Sequence, residues 1–106
     1  MTTHNSTFLK LTVGNLTLDP QFGVAKRENE EIKLTTKEFK LLEYLMRSPG
    51  QVVTRENILE LIWQYSPEIE SRVVDVYMGY LRKKVEKQDQ KKLLYTVRGN
   101  GYMIKE

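Results

Sequence analysis

The chain has no cysteine, one histidine, three prolines and one tryptophan among its 106 residues. Without cysteine there is neither a disulfide framework nor a thiolate metal site, which fits a reducing compartment. The lone histidine, His4, lies in the polar stretch Met1–Thr7, which reads as a disordered tail. A histidine-based catalytic centre therefore has almost nothing to work with. No apolar run approaches the roughly 20 residues needed to span a bilayer, and no signal-peptide pattern follows Met1. A soluble, cytoplasmic protein that does not engage a membrane is expected. There is also no Gly-rich phosphate loop and no cluster with metal-ligand spacing. The acidic pairs Glu30/Glu31 and Glu68/Glu70 fall in turns or loops without a partner base, so they read as solvated surface and not as an acid–base pair. No enzyme and no cofactor is implied.

What remains suits one domain with a single core. The net charge is only +3, but its distribution is uneven. Residues 71–106 hold nine Lys/Arg against four Asp/Glu, whereas residues 1–70 hold eight against ten. A concentrated positive region is what phosphate binding requires, because each neutralised phosphate releases counterions. Charge alone is equally compatible with a solvated basic helix.

The pattern of residues 71–87 adds direction. At 100° per residue, Val74, Met78, Leu81 and Val85 form one narrow apolar stripe, the mark of an amphipathic helix. The opposite face carries Arg72, Val76, Gly79, Tyr80, Lys83 and Lys87, with Asp75 and Glu86 to one flank. A cationic face with a small apolar contact suits the major groove, where a valine can touch a thymine methyl.

The rest of the chain is short and strand-like at first. Residues 8–11, 15–18, 23–26 and 31–34 alternate with turn residues at Val13-Gly14, Asp19-Pro20 and Glu28-Asn29-Glu30, which predicts a four-stranded antiparallel meander. Thr35-Thr36-Lys37-Glu38 has the form of a capping box. Phe39, Leu42, Leu45 and Met46 continue at helical spacing until Pro49-Gly50. After extended Gln51-Val52-Val53, Thr54 can cap a second helix with Ile58, Leu61 and Ile62 on one side and Trp63 and Tyr65 at or past its end. A loop over 64–70 leads to Ser71 as N-cap of the third helix, and residues 93–97 and 102–104 form a hairpin. The fold class is α+β: a four-stranded sheet, three helices and a hairpin, the winged helix-turn-helix arrangement. The third helix enters the major groove in such proteins, and the hairpin lies beside the backbone within reach of the minor groove.

Six separated blocks carry a further resemblance. They are Leu34-Thr35-Thr36-Lys37-Glu38-Phe39-Lys40-Leu41-Leu42, Pro49-Gly50-Gln51-Val52-Val53-Thr54-Arg55, Trp63, Arg72-Val73-Val74-Asp75-Val76-Tyr77, Leu81-Arg82-Lys83-Lys84 and Thr96-Val97-Arg98-Gly99-Asn100-Gly101-Tyr102. In order, and over roughly residues 8–104, the chain resembles the winged-helix effector domain of two-component response regulators of the OmpR/PhoB type. The resemblance implies a bacterial transcription factor whose full form carries a receiver domain, phosphorylated on aspartate by a histidine kinase. The 106 residues are then an excised effector domain, with 1–7 a linker remnant and 8–106 the DNA-binding domain, or a stand-alone relative.

The resemblance also assigns roles by position. Arg72, Arg82, Lys83 and Thr96 match phosphate contacts, Val76 an apolar groove contact and Arg98 a minor-groove arginine. A narrow A·T-rich groove attracts such an arginine. Val73, Tyr77, Thr54 and Arg55 belong to the same interface, and Lys84 and Lys87 add field. Trp63 has two open readings, core filler or an indole N–H directed at phosphate. Gly79 and Tyr80 stand where arginines are frequent. Tyrosine cannot make arginine's bidentate contact to guanine, so less reliance on guanine is expected there. The loop Gln64, Tyr65, Ser66, Pro67, Glu68, Ile69 and Glu70 matches the segment that meets RNA polymerase; a plain connector is the alternative. Two copies on directly repeated half-sites are implied, with a monomer off DNA. The competing reading is a winged-helix protein-interaction module. That would favour a neutral or acidic third-helix face and a wing without Arg98.

Overall fold

The computed structural model describes residues 9–64 and 69–106. Tight turns set the first sheet. Strands β1 (Leu11–Val13), β2 (Leu16–Asp19), β3 (Val24–Arg27) and β4 (Glu30–Ile32) pair antiparallel in chain order. Glu28 and Asn29 both have positive φ between the paired residues Arg27 and Glu30, as a two-residue type I′ hairpin requires. The meander is as expected, but its strands are offset from the sequence reading. Val13 is not a turn residue: it is buried, pairs with Leu16, and leaves Gly14-Asn15 as the turn. Leu9 is exposed, and Phe8 lies outside the described residues, as does the expected tail 1–7.

Helix α1 (Thr36–Met46) opens with the expected capping box: Thr35 Oγ1 accepts from the Glu38 N–H, and Glu38 Oε1 accepts from the Thr35 N–H. Its buried face includes Leu41 and the Glu38 carboxylate beside Leu42, Leu45 and Met46, while Phe39 is half-buried. Strand β5 (Val53–Thr54) leads into α2 (Arg55–Ile58), where Thr54 Oγ1 accepts from the Asn57 N–H as anticipated. The helix then widens into a π-helical turn, Leu59–Trp63, ended by Gln64 in the left-handed region. This element departs from the sequence reading: Leu61 is 53% exposed, and Leu59 is buried with Ile58 and Ile62. Ile58, Leu59 and Ile62 share the inner face of this widened turn, which leaves Leu61 outward.

Helix α3 (Arg72–Val85) buries the expected stripe of Val74, Met78, Leu81 and Val85. Its ends differ from the expected 71–87. Ser71 already has helical dihedrals and its hydroxyl caps nothing among the described residues; the first turn closes through Val73 N–H to Glu70 O and Val74 N–H to Ser71 O. Glu86 ends the helix and turns inward, its carboxylate accepting from the backbone N–H groups of Leu93 and Leu94 at 2.6 and 2.5 Å. It is therefore a strap on the following strand and not a flanking surface charge.

Strands β6 (Leu94–Val97) and β7 (Gly101–Ile104) form the hairpin. They also take up β5, in the order β5-β7-β6, so the wing is the end of a sheet rooted at the start of α2. Gly101 shows why glycine is needed there: a Cβ would lie 2.1 Å from the Val53 carbonyl oxygen. In the turn, Asn100 N–H donates to Val97 O and Gly99 alone takes a positive φ at the third position, as a type II turn demands. Asn100 does not share that conformation. One core joins the inner faces of both sheets and all three helices.

Candidate nucleic-acid interface

An amphipathic helix that buries one stripe must present the other. On α3 the outward face holds exposed Arg72, Val76, Tyr80 and Lys83, with half-buried Gly79 among them. Val76 and Tyr80 are 45% and 48% exposed, high values for apolar side chains on a packed helix. Val73 and Tyr77, expected at the same interface, lie at its edge, half-buried against the core.

The wing is tied to this face by side chains. Arg82 Nη2 donates to Thr96 Oγ1 on β6 at 2.5 Å. The Arg82 guanidinium also lies 5.8 Å from the Tyr102 ring centroid, and that of Arg55 lies 5.4 Å from it, both within cation–π range. The Tyr102 hydroxyl donates to Asp75 Oδ1, which also accepts from Arg55 Nε at 3.0 Å and Nη2 at 2.9 Å. Three elements meet at this buckle: the start of α2, the first turn of α3 and strand β7. The Arg82 Nε is buried without a hydrogen-bond partner among the described residues. Arg98 is exposed at the tip of the same hairpin.

The buckle shifts its ionisable groups. Burial pushes the Asp75 carboxyl up, but hydrogen bonds from Tyr102 and Arg55 outweigh it and leave its pKa below the ordinary value. Burial, reinforced by the neighbouring Asp75, pushes the Tyr102 phenol up. The hydrogen bond to Asp75 raises the Arg55 guanidinium. Both partners thus remain charged, and Asp75 locally compensates Arg55.

Trp63 packs on the core and also faces the helix. Its ring meets Tyr77 edge-to-face at 5.1 Å, Tyr77 meets Tyr80 at 5.6 Å, and Lys37 Nζ lies 5.9 Å from the Trp63 centroid. Among the described residues its indole N–H has no hydrogen-bond partner. Thr54 is committed to capping α2.

Two basic residues expected to add field differ in their commitments. Lys84 is paired with the buried Glu38 carboxylate at 2.7 Å, joining α3 to α1. Lys87 lies beyond the helix end, and its ammonium stands 4.0 Å from Glu30 with both side chains well exposed. In the expected polymerase-contact loop, Gln64 is exposed, Ile69 packs partly on the core and Glu70 is exposed; Tyr65, Ser66, Pro67 and Glu68 lie outside the described residues. The Arg55–Asp75–Tyr102 buckle and the Lys37–Trp63 contact were not anticipated, because both join residues distant in the chain. A faint signal for the first was an acid on an otherwise basic helix, which asks for a partner.

Comparison with known proteins agrees with this geometry. Residues 29–104 match the family described as transcriptional regulatory protein, C terminal. The response regulator MprA of Mycobacterium sp. strain KMS is 43% identical over 96 residues, 91% of this chain and 42% of that protein. The transcriptional regulatory protein YkoG of Bacillus subtilis is 41% identical over 95 residues, 90% of this chain and 42% of that protein. Among solved structures, DrrB of Thermotoga maritima, an OmpR/PhoB homologue, superimposes with a TM-score of 0.81 at 32% identity, covering 92% of this chain and 44% of that one. The RstA DNA-binding domain of Klebsiella pneumoniae, solved with its RstA box, gives 0.80 at 29% identity and covers 91% of this chain and 96% of that one. The chain belongs to this family, as a winged-helix effector domain of the OmpR/PhoB type, the DNA-binding part of transcriptional regulatory proteins. It spans about two fifths of the length of the curated relatives it matches.

Proposed function

We propose that this domain binds double-stranded DNA sequence-specifically as the output part of a bacterial two-component response regulator, in the cytoplasm. In this reading α3 occupies the major groove and the β6–β7 wing places Arg98 beside the minor groove. The observation that carries it is the continuity of one surface. Arg72, Val76, Tyr80 and Lys83 stand outward on α3, and Arg82 ties that helix to Thr96 on the wing that bears Arg98. Basic side chains at the rim meet phosphates while apolar ones meet base edges. Thr54, Arg55, Trp63, Val73, Tyr77 and Gly79 complete the interface. Trp63, whose indole N–H has no partner among the described residues, serves both as packing and as a donor. No helix among the described residues is long and apolar enough to cross a membrane.

Three further elements rest on the family likeness: binding as two copies on directly repeated half-sites, contact of the 64–70 loop with RNA polymerase, and control by a phosphorylated receiver domain in the longer protein. The test is selection of bound sequences from a random duplex pool, with Arg98→Ala in parallel at fixed salt. Enrichment of a direct repeat is expected, with an A·T preference beside each half-site that the variant loses. No enrichment by the parent domain would overturn sequence-specific binding by this chain.

A further inference from the structure

Tyr80 is the largest exposed side chain on the outward face of α3, and it is not free to swing. Its ring meets Tyr77 edge-to-face at 5.6 Å and 64°, and Tyr77 meets Trp63 at 5.1 Å and 76°. Trp63 and Tyr77 pack partly on the core, so the ladder is held at its inner end and finishes in a ring that is 48% exposed. A ring held in place before binding loses little freedom on contact.

The surroundings define what such a ring can read. Gly79 is helical, with no positive φ. A Cβ there would meet nothing within 4 Å, so nothing inside the protein asks for glycine. It leaves clearance for a base edge next to Tyr80. On the helix circle Val76 lies about 40° from Tyr80, and both are exposed. Within α3 the arc between them holds no Arg, Lys, Asn or Gln, with Arg72 and Lys83 on the far side of Val76; those are the side chains that make bidentate contacts to guanine or adenine. In the major groove the feature left for an apolar contact is the C5-methyl of thymine.

We infer that Tyr80 is a specificity-determining residue that reads a thymine methyl with its ring, that Trp63 and Tyr77 are its positioning residues, and that Gly79 supplies the clearance. The inference rests on the proposed major-groove docking of α3. It assigns the ring, not the hydroxyl, as the reading group.

The test uses the 106-residue chain and the duplex recovered by selection, with each thymine replaced singly by deoxyuridine. That change deletes only the 5-methyl and leaves pairing and the minor-groove edge intact. At one thymine per half-site, the parent and Tyr80→Phe should lose about fourfold in affinity, the worth of one buried methyl. Tyr80→Ala should be indifferent at that position, and Tyr77→Leu should blunt the discrimination without changing the salt dependence. Equal sensitivity of Tyr80→Ala and parent at every thymine would overturn the assignment, and so would loss of discrimination in Tyr80→Phe. Full discrimination in Tyr77→Leu would overturn the positioning role. If the parent binds specifically but no deoxyuridine matters, this inference alone fails. If no sequence is enriched, the docking reading fails with it.

Discussion

Arg27 Nη1 donates to the carbonyl of Val85, the last residue of α3, at 2.8 Å. The same guanidinium reaches Asn15 Oδ1 through Nε and Lys91 O through Nη2, each at 2.6 Å. Arg27 is therefore a fully buried side chain that bridges the first sheet to the end of the outward-facing helix. The last carbonyls of a helix lack intrahelical partners and carry partial negative charge, and a buried guanidinium satisfies both conditions. Arg27→Met should leave two backbone carbonyls unsatisfied and lower the unfolding free energy by about 3 kcal/mol, read from urea denaturation. A cost under 1 kcal/mol would mean that solvent replaces the bridge.

Gly101 is constrained by approach and not by turn chemistry. Because an added Cβ would sit 2.1 Å from the Val53 oxygen and 2.9 Å from the Thr54 Cα, Gly101→Ala must separate β5 from β7. Destabilisation by about 3 kcal/mol is expected, the range of overpacked cores. Gly99→Ala disturbs only the turn and should cost less, about 1 kcal/mol. Equal thermal unfolding midpoints for the two variants would contradict this assignment.

The Glu38–Lys84 pair makes stability depend on acid. Burial pushes the Glu38 carboxyl up, but the hydrogen bond from Lys84 and those from Thr35 hold its pKa below the ordinary 4.5. A depressed folded-state pKa contributes stability that is present above the unfolded value and lost as pH falls through the folded one. Glu38→Gln keeps a capping-box acceptor but deletes the charge. It should cost about 1 kcal/mol at pH 7, Lys84 being partly solvated, and should unfold less steeply than the parent below pH 4.5. Parallel stability–pH curves for the two proteins would remove the pair from acid unfolding.

Salt dependence separates the lysines. With about five phosphate contacts, log affinity should fall against log salt with a slope near −4 to −5. Exposed Lys83→Ala should reduce that slope by about 1. Lys84→Ala should change stability more than slope, since its ammonium is engaged by Glu38 at 2.7 Å. The reverse pattern would exchange their roles.

Gly79→Ala should move two readouts in opposite directions. Alanine is the better helix former by about 1 kcal/mol, and its methyl meets nothing within 4 Å, so the free domain should become more stable. Affinity for the selected duplex should fall, because the added methyl occupies the clearance beside the groove. Unchanged affinity would remove the clearance role of Gly79.

Much of this was legible in the chain because it is local. The capping box at Thr35 and Glu38 needs only a spacing of three, and the stripe of Val74, Met78, Leu81 and Val85 needs only the helical period. The outward placement of Val76 and Tyr80 follows from the same period. Where local signals ended, the reading slipped. Leu61 faces out from the π-helical turn, Ser71 does not cap, and Glu86 straps β6 instead of decorating a flank.

The sequence by itself determined which elements exist and which face of α3 is polar, since propensity, caps and periodicity act within a few residues. Only the tertiary structure decided which charged groups stay available to a partner. Arg27 and Lys84 look like any surface ions in the chain and Glu38 like a cap at the start of a helix, yet Arg27 and Glu38 are buried and Lys84 is held by Glu38. Asp75 and Arg55 offset one another across 20 positions. Such pairings depend on where packing brings distant side chains together and how far it excludes water, and no local pattern encodes either.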